Sequence, residues 1–302
     1  MQNIVLQSAI YLGTMLMGVL LKHKGFFRTQ DRDVLSKIIL NLTLPAMLVS
    51  SFNGVRLDFW FVISFLLGLL VNAVMVVCAL VMGRDGSPDL RAVYAVTVAG
   101  LNLGILTLPY MQGVLPEGVP YLCMFDVGDT IFTLGIIYAV AASLKGQQHG
   151  FHPKKFLRDL FSSLPFDAYV VMVTLSLIHI SLPAPLIQAA DFIGRSNGFL
   201  AMLMVGISLE FHLDHTALMD TFKILAARYA IGVVSALAIF FLLPAPLVMR
   251  QILAAAAFSA IPTVSVVYCN KLQIDSAIPG LVVPLTTLLS FLVMPAVLLL
   301  IS

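Results

Sequence analysis

The chain has 302 residues, 60% of them hydrophobic and 11% charged, with a net charge of +2. That balance excludes a soluble domain of ordinary composition, and the basic excess is too small for a nucleic-acid-binding protein. What remains is a membrane domain: a succession of apolar stretches about 20 residues long, the length that crosses a hydrocarbon core about 30 Å thick.

Taken in chain order, apolar runs bounded by charges and turn residues predict ten spans, at about 3–22, 35–53, 59–82, 91–113, 119–143, 165–182, 187–209, 221–243, 247–271 and 277–301. The first lacks a basic start and a small-residue cleavage site and reads as a retained span. The longest connection, at 145–164, divides the chain into residues 1–144 and 165–302, each with five spans. Placing the N-terminus outside puts fourteen basic residues, Arg228 among them, on the cytoplasmic side and leaves Arg56, Arg195 and Arg250 outside. The C-terminus then also lies outside. The second half enters from the opposite side, as an inverted repeat requires.

Weak internal symmetry agrees. "PAMLVSSFNGVRLDF" from Pro45 resembles "LAMLMVGISLEFHLD" from Leu200, and Arg91 opens the fourth span as Arg250 opens the ninth. The fourth span carries helix breakers in "GLNLGILTLPY", Gly100 to Tyr110, and the ninth carries Pro262 at the matching place. Proline in a helix interior costs roughly 3 kcal/mol, and the backbone groups it frees cannot face lipid. A pair of interrupted spans at matching positions points to a binding site. Asn102, Ser259 and Thr263 add amide and hydroxyl groups at the two breaks, a set that suits a small carboxylate.

The motifs together resemble the auxin efflux carrier family, including its bacterial malonate-type permeases. They are "LNLTLPAML" at 40–48; Asn102, Gly104 and Pro109 in the fourth span; "GISL" at 206–209; Pro262 with Thr263; and Thr286 to Ser290 followed by Pro295. The resemblance implies an all-α membrane protein of ten transmembrane helices in two inverted five-helix repeats. Its fourth and ninth helices are broken and cross at mid-membrane, and one half of the molecule moves against a scaffold. It also implies an organic-anion substrate, no cofactor, the lipid bilayer as surroundings, a bacterial inner membrane location and scaffold helices of a kind that often form homodimers. Thr107 stands where relatives tend to have glycine, which would narrow or polarise the crossing. Phe199 and Leu200 replace a proline common early in the seventh span.

The candidate substrate-binding residues are thus Asn102, Gly104, Thr107, Pro109, Ser259, Pro262 and Thr263, with Asn41 and Ser50 on the second span and Thr287 and Ser290 on the tenth. Asp126 and Asp129, three apart on one helix face of the fifth span, are candidates for proton or ion coupling, because an acid inside a membrane marks function by default. "EFHLDH", Glu210 to His215, reads as a solvated loop rather than a metal site, and the three cysteines as buried hydrophobes. No phosphate loop and no metalloprotease or serine-hydrolase signature is present, so the chain does not read as an enzyme. The leading reading is a secondary carrier of small mono- or dicarboxylates. The alternatives are a sodium-coupled symporter of the bile-acid type and a sensor or channel without coupled transport.

Overall fold

The computed structural model describes residues 2–146, 153–209 and 217–302. Every regular element among the described residues is a helix, and no strand occurs among them. Helices α1 (Gln2–His23), α2 (Asp31–Ile38), α3 (Leu44–Phe52), α4 (Phe59–Met82), α5 (Pro88–Val98), α6 (Leu108–Val114), α7 (Val119–Ile131) and α8 (Ile137–Leu144) make up the first part. Helices α9 (Pro153–Leu160), α10 (Leu164–Leu177), α11 (Ala184–Gly194), α12 (Ser196–Ser208), α13 (Leu218–Leu237), α14 (Leu247–Ala256), α15 (Val264–Lys271) and α16 (Ile278–Ile301) make up the second. Among the described residues seven stretches are long and apolar enough to cross a membrane, so the chain is a multi-pass membrane protein. The remaining expected spans form shorter helices: α10, the pair α11 and α12, and the pair α14 and α15.

Several interruptions have a local cause. A π-turn at Ile39–Thr43 precedes Pro45, and another at Leu103–Thr107 precedes Pro109. In each, the ring would meet the carbonyl four residues back and no N–H is available to close a regular turn. The wider turn absorbs both problems: Leu44 and Leu108 donate five residues back, to Ile39 and Leu103. The expected seventh span is not continuous, because a turn at Arg195 separates α11 from α12, and Arg195 pairs with Asp191 at 2.6 Å. Part of the expected linker, 153–160, is helical, whereas 147–152 and the whole of "EFHLDH" lie outside the described residues.

The helices sort into two groups by packing. Helices α1, α2, α3, α10, α11 and α12 pack mainly on one another, while α4, α5, α7, α8, α13, α14, α15 and α16 form the other group. Close backbone approach holds each together. A methyl group at Gly206 of α12 would strike the Met15 carbonyl of α1, and one at Gly68 of α4 would strike the Phe125 carbonyl of α7. Small residues at helix contacts replace the hydrophobic drive that lipid cannot supply. Gly68→Val should therefore cost about 1–3 kcal/mol or more through overpacking, read as a lower unfolding midpoint of the purified protein in detergent.

Candidate functional site

Gly100, with φ at +83°, turns the chain out of α5 where few side chains could follow. A Cβ there would also press on the Pro262 ring at 2.9 Å. The backbone between α5 and the π-turn at Leu103 is non-helical at 99–102, and that between α14 and α15 is non-helical at 259–262. The two breaks meet directly: the Asn102 amide donates to the Ala260 carbonyl at 2.9 Å, and the Thr107 and Ser259 hydroxyls share a hydrogen bond of 2.7 Å. Thr107 also reaches the Asn102 carbonyl at 3.3 Å.

Backbone groups freed by the breaks are satisfied from neighbouring helices, as burial demands. Amides are met by acceptors on α4 and α7. Gly100 N–H donates to Asn72 Oδ1 at 3.1 Å and Leu101 N–H to Asp129 Oδ1 at 3.0 Å, while Asn72 Nδ2 joins the same carboxylate at 2.8 Å. Thr133 donates to Asp129 Oδ2 at 3.1 Å. Carbonyls are met by Arg228 of α13, whose guanidinium reaches Val98, Gly100 and Ser259 at 2.8–2.9 Å. On α16, Ser290 donates to the Phe258 carbonyl at 2.8 Å and Thr286 accepts from the Ile261 amide at 3.2 Å.

Beside this crossing lies a cavity of about 440 Å³. Asn102, Ile105, Thr263 and Thr287 line it together with Met204, Val205 and Ser208 of α12, and Arg32, Asp33 and Asn270 belong to the same lining. Asn102 and Thr263 are the residues at which the two second half-helices begin, and neither side chain caps its own helix. A helix start leaves amides without intrahelical partners and carries partial positive charge. The cavity lining therefore includes two helix starts, an amide and a hydroxyl, among mostly apolar side chains. Arg32 adds a cation, partly offset by Asp33 at 3.6 Å.

The expected residues divide. Asn102, Thr263 and Thr287 line the cavity. Thr107, Ser259 and Ser290 are buried ties of the crossing, and Pro262 packs against Gly100. Pro109 accepts from Tyr11 at 3.2 Å through its carbonyl, and Gly104 faces only Leu44. Asn41 is exposed and bonds to the Lys37 carbonyl, and Ser50 bonds to that of Met47; neither is brought to the cavity.

Asp126 and Asp129 are both buried but have different partners. Asp129 serves the break, while Asp126 accepts from Tyr169 of α10 at 2.7 Å, across the junction between the two helix groups. Arg228, counted among the cytoplasmic-side charges, lies ten residues, or about 15 Å, into α13, where it is 5% exposed and bonded to the breaks. Arg228 and Asn72 are site residues that the sequence pattern does not single out; the signal each offers is a polar side chain well inside a long, mainly apolar helix.

Residues 7–154 match the model of a family described as Membrane transport protein. No curated protein matches the chain.

Proposed function

The chain, matched over residues 7–154, belongs to the auxin efflux carrier family of membrane transport proteins, and on that premise we propose that it is a secondary carrier of small organic anions. The observation that carries this reading is the cavity lining, in which Asn102 and Thr263 mark two helix starts that no side chain caps. Such ends favour a carboxylate. In this reading the two halves, residues 1–144 and 165–302, are inverted five-helix repeats, and the crossing sits at mid-membrane. The two helix groups move against each other and expose the cavity to each side of a bacterial inner membrane in turn.

Counterflow in proteoliposomes tests it. Vesicles loaded with an unlabelled mono- or dicarboxylate should accelerate uptake of the labelled compound, and a channel would show no such exchange. A carboxylate panel in which none stabilises the purified protein to heat, against the roughly 2.7 kcal/mol that a ligand at a hundredfold its dissociation constant supplies, would count against an anion substrate.

Proton coupling belongs in this reading to Asp126 rather than to Asp129. Both carboxylate oxygens of Asp129 already accept hydrogen bonds that hold the break. Asp126 lies where the helix groups meet, so a proton on it would alter a contact between them. Asp126→Asn is expected to carry out counterflow but to lose the stimulation of uptake by an imposed pH gradient. Undiminished stimulation in the variant would remove Asp126 from the coupling.

A further inference from the structure

Backbone oxygens left without amide partners at a helix break are good ligands for a hard cation. Here such oxygens converge from both breaks: Thr97, Val98 and Gly100 at the end of α5, and Ser259 beyond α14. What they surround is the guanidinium of Arg228. Nη1 donates to Val98 at 2.8 Å and Gly100 at 2.9 Å, with Thr97 further off at 3.4 Å, and Nη2 donates to Ser259 at 2.9 Å.

The geometry assigns to Arg228 the role of a tethered cation, held permanently where a coupling alkali-metal ion would otherwise bind, so that the crossing assembles without sodium or potassium. Three features support the assignment. The oxygens come from two separate chain segments, so the cation joins the breaks as a bound ion would. The planar fork serves several acceptors from one position, which an ammonium group does less well. On the amide side of the same break stands Asp129, so opposite charges complete the freed carbonyls and amides of this segment, and the pair carries no net charge for a mobile ion to balance.

The inference concerns the crossing and not the cargo, and its test needs no substrate. Full-length wild type, Arg228→Ala and Arg228→Lys are melted in detergent in choline chloride, with part of the choline replaced by sodium, potassium or methylguanidinium at constant ionic strength. The wild-type midpoint should be the same in every salt. Arg228→Ala should melt several degrees lower in choline and recover saturably with millimolar methylguanidinium, and Arg228→Lys should fall between. A saturable rise of the wild-type midpoint with sodium or potassium overturns the inference, as does an Arg228→Ala protein that is unaltered or that methylguanidinium does not rescue. Should Arg228→Ala not fold, the wild-type comparison of sodium, potassium and choline decides alone.

Discussion

Asn102→Leu is expected to raise the half-saturation concentration for carboxylate counterflow roughly ten- to a hundredfold while leaving the unfolding midpoint nearly unchanged. The two readouts separate because of what the side chain does and does not touch. Its amide lines the cavity and has no hydrogen bond to another described residue, so removing it breaks nothing in the folded protein. The backbone bonds that tie the break, from the Asn102 amide to Ala260 and from Thr107 to the Asn102 carbonyl, do not depend on the side chain. Leucine keeps asparagine's branch at Cγ, and its extra bulk has the cavity to extend into. On the proposed reading, what is lost is a hydrogen bond to an anion, typically about 1.5–3 kcal/mol, which converts to the stated range of affinity. A variant with unaltered half-saturation would place the anion elsewhere in the cavity.

Asp129→Leu should have the opposite signature, with a large loss of stability whatever the cargo. The carboxylate accepts from Asn72, from Leu101 and from Thr133, and all three donors are buried. Leucine would leave the Leu101 amide without an acceptor, at about 1–3 kcal/mol for that group, and would free Asn72 to drift from Gly100. A total of about 3 kcal/mol or more is expected, measured by thermal or denaturant unfolding in detergent. Asp129→Asn is the informative contrast. It keeps one carbonyl oxygen for Asn72 and Leu101, and the Thr133 hydroxyl turns to accept instead of donate. Its stability should therefore lie between the two. Asp129→Leu as stable as wild type would mean that water takes over the carboxylate's role.

The broken helices were legible because their cause is local: Gly100 and Pro109 in one span and Pro262 in the other disrupt regular turns wherever they stand. Asn102 and Thr263 followed from their adjacency to those breakers. What linear reading did not show depends on contacts between segments far apart in the chain. Arg228 sits ten residues into a helix that begins near Asp220 and Lys223, and a count of charges at helix ends absorbs it into that group. Only the carbonyls of a helix more than a hundred residues earlier reveal its position. Asp126 and Asp129 looked equivalent on periodicity, since three residues apart share a face. Their division of labour arises because α4 covers one and α10 meets the other. Thr107 read as a change in the binding surface, but its hydroxyl is turned inward to Ser259, which no spacing rule encodes.

The separation between the ties of the crossing and the wall of the cavity has a consequence for how such a protein can diverge. Asn72, Asp129, Arg228, Thr107 and Ser259 hold one another, so a change at any of them propagates to the rest. Ile105, Met204, Val205 and Val266 border the cavity with apolar side chains that take no part in those bonds. Substitutions there alter the room and greasiness offered to a passenger without loosening the frame. A lineage could thus exchange one cargo for another through a few wall positions, each tolerable on its own, while the frame that makes transport feasible stays fixed.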